Sequence, residues 1–414
     1  MALDRLVDST QLDNNLTSIA NAIRTKGGTN ANLAFPSDFI TAINNISTGG
    51  GGTVSPKDVN FYDYDGTLLY SYTALEFAAL SSMPANPSHS GLTAQGWNWT
   101  LTDAKTYVTS YGILDIGQIY ITDDGKTRLY IRIAAPGRMT VPLRFSQTVA
   151  NGVTINWGDG SATETVSGTG NRNTSHTYSS IGDYVIILSP LSGCVLGLGN
   201  GTASYCVLGL TGNAGRVYFN MLKKVEIGSK VTSIDDYAFR YCYSLASVTI
   251  PSSVTSIGQY AFGECYSLAS IIIPPKVTSI GSYAFNYCYS LSNITIPSSV
   301  TSISDHAFYN CCSLASITIP SSVTSISTYM FGSCYSLASI TIPSSVTTIS
   351  AYAFSACYGM AAYHIKPTSP PTLSNINAFN NIPSNCIIYV PAASLDTYKS
   401  TSNWSNYASK MVGE

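Results

Sequence analysis

The sequence predicts a multidomain, mainly β protein that ends in a repeat solenoid. Three observations lead to this fold class: a 23-residue period that starts near residue 220, two Asp-Gly hairpin patterns upstream of it, and the glycine-rich stretch STGGGGT at 47–53. A fixed period of this length is typical of solenoids, in which each unit buries its apolar face against the next. The predicted units, in chain order, are a helical docking or oligomerisation head (1–48), a Gly-rich linker (49–56), a β-hairpin-rich module with two short helices (57–135), a β-sandwich (136–192), a connector that caps the solenoid (193–222), the repeats (223–366), and a capping repeat with a tail (367–414).

The composition argues against several classes of partner. Charged residues make up 10% of the chain and the formal net charge is −2, so a clustered basic face for nucleic acid is not expected. No apolar run approaches about 18 residues, the length that would predict a membrane-spanning helix. The N-terminal stretch MALDRLVDSTQLDNN lacks the basic start and apolar core of a secretory signal peptide. We therefore expect synthesis in the cytoplasm without a signal peptide, and neither nucleic-acid binding nor membrane insertion.

The first unit is predicted to be helical. Residues 9–24 carry one apolar helical stripe, formed by Leu12, Leu16, Ile19 and Ile23. A second short helix is predicted from Ser37 to Ile46. Because an isolated helix of this length is marginal in water, the stripe needs a partner. Two interpretations stay open: a small helical hairpin, or a head that docks or oligomerises.

The β-rich module carries two hairpin patterns. VNFYDY and TLLYSY flank Asp65-Gly66, and QIYIT and KTRLYIRI flank Asp124-Gly125. Asp-Gly between alternating strands supplies the positive φ values of a type I′ turn. Between the two hairpins we predict short helices around 74–82 and 102–110, together with a Trp-rich loop at 96–99.

The first hairpin pattern has a second interpretation. Its segment DYDGT at 63–67 resembles the phosphoaspartyl motif of the haloacid-dehalogenase phosphatases, which implies Asp63 as nucleophile beside a magnesium ion. That chemistry places the nucleophile at the end of a buried parallel strand, and parallel strands need crossover connections. Residues 54–190 show no alternation of strands with long helices. We therefore favour a hairpin with a solvated Asp63 and with these opposed pairs: Val59 and Tyr72, Phe61 and Tyr70, Tyr62 and Leu69, Tyr64 and Thr67.

A sandwich is predicted at 136–192. Three segments carry this prediction: WGDGS at 157–161, HTY at 176–178 and GDYV at 182–185. In this order they resemble the PKD family of immunoglobulin-like β-sandwiches. The resemblance implies a spacer or adhesive domain that has no catalytic residues.

From about residue 220 the chain repeats a unit that reads VTSI..YAF..CYSLASITIPSS. Four apolar positions recur at steps of 23 residues, beginning with Val231, Phe239, Cys242 and Leu245. Residues at one fixed register stack into a continuous core. The pattern resembles the BspA-like leucine-rich repeats over about 220–391, which implies a solenoid. The cysteines lack the paired spacing of zinc sites, so we predict buried free thiols, no metal and no cofactor.

Tyrosines are the main candidate binding residues. The first tyrosine row consists of Tyr237, Tyr260, Tyr283, Tyr329 and Tyr352, and the second tyrosine row of Tyr243, Tyr266, Tyr289, Tyr335 and Tyr358. Between residues 231 and 360 only six side chains are charged. Such a face fits an uncharged partner, a glycan or a protein surface, because tyrosine combines a large contact area with a polar tip. The alternative is that the tyrosines only cover the turns of the solenoid.

Some positions between the two tyrosine rows differ from repeat to repeat. Gly263-Glu264, Asn286-Tyr287 and Gly332-Ser333 occupy equivalent positions in three units whose other residues are nearly constant. The core does not need a particular residue there, so these are positions at which recognition can be encoded.

The N-terminal segments suggest where such a protein acts. LVDSTQLDNNLTSIANAIRTKGGTNANLAFPSDFITAI and the module after it, over about residues 3–133, resemble segments of tail-associated virion proteins of phages and prophages of gut Firmicutes. The resemblance implies a tail fibre or receptor-binding protein that is part of the virion and leaves the cell by lysis. We expect the repeats to bind a glycan or protein on a bacterial surface, the head to bind other virion proteins, and the chain to form a homotrimer.

Two alternatives remain open. A bacterial BspA-like surface adhesin or scaffold would use the same repeats, and a haloacid-dehalogenase-like phosphatase would use DYDGT. The sequence holds no GxSxG elbow and no GxxxxGKS phosphate loop. We therefore predict that the chain is not an enzyme.

Overall fold

The computed structural model describes residues 57–63, 66–90, 92–122, 124–199, 205–210 and 220–414. Lys57–Glu414 forms one compact unit. The helical head predicted at 1–48 and the linker predicted at 49–56 lie outside the described residues. In the part of the chain that is described, no helix has the length and apolar character needed to cross a membrane.

An N-terminal module at 57–122 has a four-stranded sheet and two helices. Its elements are β1 (Val59–Tyr62), β2 (Leu68–Tyr72), α1 (Ala74–Ala78), β3 (Leu92–Trp97), α2 (Leu101–Tyr111) and β4 (Leu114–Thr122). The strand order is β2-β1-β4-β3. Thr73 and Glu76 form a capping box that starts α1, and Thr100 caps α2. The two short helices predicted from the sequence are therefore present, and the module has a core of its own, centred on Phe61 and Phe77.

The first predicted hairpin is present, with one change in register. Val59 lies opposite Tyr72 and Phe61 lies opposite Tyr70, as predicted, but Tyr62 faces Leu68 because a bulge follows Phe61. The predicted partner of Thr67 lies outside the described residues. The free edge of β1 pairs in parallel with β4, so the expectation that this region lacks parallel strands is wrong. The connection from β1 to β4 consists of β2, α1, β3 and α2, and its helices are too short to appear as an alternation of strands with long helices.

The second predicted hairpin is wrong. The strand that follows Gly125, β5 (Thr127–Ile133), does not pair with β4. Both edges of β4 are already taken by β1 and β3, so β5 pairs with strands of the following units instead. Asp124 accepts from the Arg128 guanidinium at 2.6 Å, an ion pair that fixes the turn without a hairpin.

Asp63, predicted to be solvated, is buried. Only 4% of its surface is exposed, and its carboxylate oxygen lies 2.8 Å from Nε2 of His89. The His89 ring packs edge-on against Tyr120 of β4, with ring centroids 4.9 Å apart. A carboxylate is costly to bury without a hydrogen-bonded partner, and His89 provides one.

A sandwich follows the module. Its strands are β5, β6 (Thr140–Gln147), β7 (Val153–Asn156), β8 (Glu164–Val166), β9 (Gly170–Thr177), β10 (Gly182–Pro190) and β11 (Leu196–Leu198), with a 3-10 turn at Pro136–Arg138 and a short pair, β12 (Tyr205–Cys206) and β13 (Gly209–Leu210), after it. One sheet contains β5-β10-β7-β8 and the other contains β11-β6-β9. Alternate residues of both sheets, including Ile131, Phe145 and Ile155, are buried in the same core.

The segments that predicted this sandwich contact one another. The Trp157 indole stacks on the His176 ring with centroids 5.0 Å apart, and His176 Nε2 lies 2.6 Å from the Asp159 carboxylate. The Tyr178 hydroxyl donates to the carbonyl oxygen of Trp157 at 2.8 Å. WGDGS and HTY are therefore two halves of one packed cluster at the end of β7 and β9.

The repeats form two rows of short parallel strands. The VTSI row contains β15 (Val231–Ile234), β17 (Ser256–Ile257), β19 (Ser279–Ile280), β21 (Ser302–Ile303), β22 (Ser325–Ile326), β24 (Thr348–Ile349) and β26 (Thr372–Leu373). The ITI row contains β14 (Leu222–Glu226), β16 (Ser247–Thr249), β18 (Ser270–Ile272), β20 (Asn293–Thr295), β23 (Ser339–Ile342), β25 (Ala362–Ile365), β27 (Ile387–Val390) and β28 (Met411–Gly413). Equivalent residues pair, so that Ile280 lies between Ile257 and Ile303.

The sandwich and the solenoid are continuous. β15 pairs with β11, and β14 pairs with β5, so each sheet of the sandwich runs directly into one strand row of the repeats. A single buried core extends from Leu129 of the sandwich to Met411 near the C-terminus. The first repeat therefore exposes no open strand edge at the sandwich, a feature that suits a terminal cap.

The C-terminal residues close the other end. They begin with a 3-10 turn at Ile376–Phe379. After β27 follow a short 3-10 turn (Ala392–Ser394), the helix α3 (Leu395–Ser400) and a longer 3-10 segment (Trp404–Lys410), which leads into β28. Trp404 is fully buried, its ring centroid lies 5.6 Å from that of Phe379, and its indole N–H donates to the carbonyl oxygen of Pro371 at 2.6 Å. The last apolar rung is therefore covered by aromatic side chains.

The N-terminal module packs on the ITI row, a contact that the sequence did not predict. Side chains of the module donate hydrogen bonds to successive repeats: Asn98 to the Thr295 hydroxyl (3.0 Å), Trp99 to the Ile296 carbonyl (3.1 Å) and Tyr107 to the Ile319 carbonyl (2.8 Å). Gly117 of β4 lies so close to the repeats that a Cβ atom there would be 2.6 Å from the Ile272 side chain. The module therefore covers one side of the solenoid.

Candidate functional site

In five of the six repeats between residues 231 and 360, the turn between the VTSI and ITI strands carries one residue from each tyrosine row, and in the remaining repeat His306 and Cys312 occupy the two positions. We call the surface of these turns, from Tyr237–Tyr243 to Tyr352–Tyr358, the turn face. Tyr237 and Tyr241 have φ values of 63° and 65°, and equivalent residues of the next repeats share this left-handed conformation. It costs an ordinary side chain about 1–2 kcal/mol. Backbone bonds to the next turn offset part of that cost, because Tyr237 N–H donates to Gln259 O at 2.8 Å.

A phenylalanine and a cysteine fill the inside of each turn. The Phe rings stack at centroid distances between 5.3 and 5.6 Å, as in the pair Phe262–Phe285 at 5.4 Å. From Cys265 onward the Cys thiol donates to the carbonyl oxygen of the Phe in the preceding repeat, for example Cys288 to Phe262 at 3.2 Å. Burial raises the pKa of the Cys288 thiol well above its usual value. The cysteines at this repeat position are therefore buried free thiols, as predicted, whereas Cys312 beside Cys311 is a partly exposed free thiol. The sulfur-to-carbonyl ladder is an additional role that spacing alone did not reveal.

The first tyrosine row forms one continuous aromatic stack. His306 takes the place of a tyrosine and lies between Tyr283 and Tyr329, with ring centroids 4.4 and 4.9 Å away. The rings of Tyr260 and Tyr283 stack with nearly parallel planes, their centroids 4.5 Å apart. Because neighbouring rings cover each other's faces, the row offers a partner mainly ring edges and hydroxyl groups.

The second tyrosine row is more exposed and is interrupted. Its exposed members are Tyr289 (41%), Tyr335 (43%) and Tyr358 (60%). Tyr243 and Tyr266 stack at 4.4 Å, and Tyr335 and Tyr358 at 5.5 Å. Cys312 occupies the tyrosine position between Tyr289 and Tyr335, so the stack is broken there. This row is the most accessible aromatic surface of the repeats.

A groove of about 480 Å³ lies beside the first tyrosine row. It is lined by Arg240, Tyr260, Glu264, Tyr283, Asn286, Tyr287, His306, Tyr309 and Tyr329. The Arg240 guanidinium lies 4.0 Å from the centroid of the Tyr260 ring and contacts Glu264 at 3.4 Å. Burial raises the pKa of Glu264, although Arg240 opposes that shift. Six of these residues are outside the predicted tyrosine rows, and several occupy the positions at which the sequence varies between repeats.

Comparison with known proteins identifies the repeats. Residues 217–338 and 278–403 match the BspA type leucine rich repeat region, with 6 copies. The repeats are BspA-type leucine-rich repeats. No curated protein matches the chain. The match covers the part of the chain that carries both tyrosine rows, and it does not extend to the N-terminal module or to the sandwich, whose PKD resemblance stays a prediction.

Similar solved structures are bacterial leucine-rich repeat proteins. A leucine-rich repeat protein from Bacteroides ovatus is 26% identical over 58% of this chain and 60% of its own, with a TM-score of 0.40. A leucine rich cell surface protein from Faecalibacterium prausnitzii is 27% identical over 45% of this chain and 62% of its own, with a TM-score of 0.30. The T. pallidum leucine rich repeat protein is 28% identical over 38% of this chain and 76% of its own, with a TM-score of 0.29. This chain thus covers less than two thirds of the first two proteins.

The structure places all ten predicted tyrosines on the turn face of the BspA-type repeats, in the two rows read from the sequence. No group of three or more His, Cys, Asp or Glu side chains suited to a metal ion occurs among the described residues. Burial raises the pKa values of Tyr260 and Tyr266, so their phenols stay neutral donors. Chemically the face can offer aromatic contact and hydrogen bonds, with little net charge.

Proposed function

We propose that this chain is a non-enzymatic recognition protein of the BspA-like surface-adhesin type, and that its turn face binds an uncharged glycan or protein on a bacterial surface. The match of its repeats to the BspA-type family supports the adhesin reading. That match favours the surface-adhesin alternative over the virion interpretation. The virion interpretation rests on the resemblance of residues 3–133 to tail-associated virion proteins, and none of the matches to known proteins supports it.

One observation carries the proposal: the turn face is aromatic and charge-poor, and no element of the described part of the chain covers it. The N-terminal module packs on the ITI row, the sandwich covers one end of the solenoid and Trp404 covers the other. Tyr289, Tyr335 and Tyr358 remain exposed on the turn face. Exposed clustered aromatic side chains are enriched where proteins bind partners, because each ring buries a large area at a small cost in side-chain entropy.

A phosphatase activity at DYDGT is disfavoured on geometric grounds. A nucleophilic Asp63 would have to reach a phosphoester, but its carboxylate is buried against His89. β1, which ends next to Asp63, does pair in parallel with β4, but the strand after Gly66 folds back antiparallel to β1, whereas the chain after the phosphoaspartyl site enters a helix crossover. We further propose that the chain acts without catalysis, that it forms a homotrimer, and that its first 48 residues bind other virion or surface components.

The proposal predicts cell binding that depends on the second tyrosine row. The fluorescently labelled full chain is incubated with a panel of gut bacteria and binding is measured by flow cytometry. Replacing Tyr289, Tyr335 and Tyr358 together by Ser should lower the apparent affinity at least about tenfold, because tyrosine is enriched among the interface residues whose truncation costs about 2 kcal/mol or more.

The matched control is a triple change on the VTSI row, Thr255→Ser, Thr278→Ser and Thr301→Ser, which also alters three exposed side chains of neighbouring repeats. It should leave binding within about twofold of the unchanged chain, because surface substitutions away from an interface have small effects. Absence of binding to every strain tested, or an equal loss in both triple variants, would contradict the proposed function.

A further inference from the structure

The groove beside the first tyrosine row is formed where side chains of neighbouring turns differ in size. It depends on which residue occupies one column of the turns: Arg240, Gly263, Asn286, Tyr309 and Gly332 are equivalent in successive repeats. A Cβ atom on Gly263 would lie 2.6 Å from Oδ1 of Asn286. Glycine at this position therefore leaves the space into which Asn286 extends, with Arg240 and Tyr309 on either side.

Three polar groups of the groove have unused hydrogen-bonding capacity. Asn286 is 3% exposed and its Oδ1 has no hydrogen-bond partner. Nδ1 of His306 and Nε of Arg240 are buried without a partner as well. A buried polar atom without a partner is unfavourable, and native structures hold few of them. Three of them lining one groove indicate a surface arranged for hydrogen bonds from a ligand.

The charges of the groove compensate one another. Arg240 and Glu264 form an ion pair at 3.4 Å, and the Tyr266 hydroxyl donates to the other carboxylate oxygen of Glu264 at 3.4 Å. The guanidinium keeps further donors, and each carboxylate oxygen keeps a second lone pair. Burial lowers the pKa of His306, so its imidazole is neutral near pH 7 and offers one donor and one acceptor. A charged ligand would therefore find no net opposite charge, whereas a neutral ligand rich in hydroxyl groups would find both donors and acceptors.

We propose that this groove binds one hexopyranose unit of an uncharged glycan, which deepens the proposed function and rests on it. A pyranose ring has an apolar C–H face and an edge of hydroxyl groups. The rings of Tyr287 and Tyr309, 5.7 Å apart and nearly perpendicular, supply the apolar wall. Arg240, Glu264 and Asn286 supply the planar polar groups that can each bond two neighbouring hydroxyls. The volume of about 480 Å³ falls within the range of about 300–1,000 Å³ that is usual for small-molecule sites.

The test uses variants that copy residues already accepted by other turns. Asn286→Ser introduces the residue found at the equivalent position 355, and Tyr309→Gly introduces the residue found at 332. Ser355→Gly changes the same column outside the groove and is the matched control. The full-length proteins are applied to an array of neutral oligosaccharides that end in glucose, galactose, mannose or N-acetylglucosamine, beside sialylated and uronic-acid oligosaccharides, and thermal unfolding of each protein is measured in parallel.

We expect the unchanged chain to bind at least one neutral oligosaccharide, the two groove variants to lose at least tenfold in affinity, and Ser355→Gly to stay within twofold. Binding to the acidic oligosaccharides alone, or equal binding by all variants, would overturn the saccharide site. Binding to whole bacteria without any binding to the array would also overturn it and indicate a protein partner, while the proposed function would stand. Absence of binding to bacteria and array alike would instead contradict the proposed function itself.

Discussion

Phe285→Ala is expected to destabilise the protein by about 3–5 kcal/mol, the usual cost of truncating a buried phenylalanine. Phe285 is fully buried, and its ring lies 5.4 Å from Phe262 and 5.6 Å from Phe308. The substitution removes one rung from the middle of the aromatic core. Because stacked repeats obtain their stability from their neighbours, it weakens the interfaces on both sides. Urea unfolding followed by circular dichroism measures the change.

Tyr335→Ala is the control for this prediction. Tyr335 has 43% of its surface exposed and stacks on Tyr358 alone, so its truncation should cost no more than about 1 kcal/mol. A cost below about 1 kcal/mol for Phe285→Ala, or equal costs for both variants, would show that the Phe ladder does not hold the solenoid together.

Trp99→Ala is expected to have the second large effect, about 3–5 kcal/mol, and to release the N-terminal module from the repeats. Trp99 is 4% exposed, its indole N–H donates to the Ile296 carbonyl, and its ring lies 5.3 Å from Tyr107. Truncation leaves a cavity between the module and the ITI row and an unpaired carbonyl. Limited proteolysis should then cut within residues 57–122 faster than in the unchanged chain.

Leu75→Ala in the same module serves as control. Leu75 lies on α1 and is 83% exposed, so its truncation should alter neither the unfolding midpoint nor the cleavage pattern. If Trp99→Ala and Leu75→Ala behaved alike, the module would not depend on its contacts with the repeats.

The repeats could be predicted from the sequence because every repeat carries the same apolar residues at the same positions. Phe285 and Cys288 are apolar at one register in every unit, so burial at that register was the simplest consequence. The positions of the tyrosines followed from the same register. The sulfur-to-carbonyl bonds and the left-handed φ values at Tyr237 and Tyr241 did not, because they depend on how one turn meets the next.

The predictions from the sequence are wrong where contacts between distant residues override a local sequence signal. Asp124-Gly125 is a hairpin signal, yet β4 and β5 separate because β1 and β3 already occupy both edges of β4. Asp63 was expected in solvent, since nothing near it in the chain shows that His89 reaches it. Docking of the module through Trp99 and Gly117 joins residues that are distant in the chain: the bond from Trp99 to Ile296 spans a separation of 197, and Gly117 packs against Ile272.

The positions that line the groove could be predicted in part from the sequence, but the contacts that form the groove could not. The sequence marks Gly263-Glu264 and Asn286-Tyr287 as variable within a constant repeat, which is the signal that could locate it. It does not indicate that Arg240 contacts Glu264 of the following repeat, or that Gly263 opens the space beside Asn286. Those relations appear only when neighbouring turns are stacked.

Hydroxyl-radical footprinting tests the central claim, that the turn face is the recognition surface, most directly. The full chain is oxidised free in solution and bound to the bacterial cells that retain it most strongly, and modification is read by mass spectrometry. We predict that oxidation of Tyr289, Tyr335 and Tyr358 falls on binding, whereas exposed Leu75 of the N-terminal module is modified equally in both states. Unchanged oxidation of the three tyrosines in the bound state, with protection at Leu75 instead, would contradict the claim.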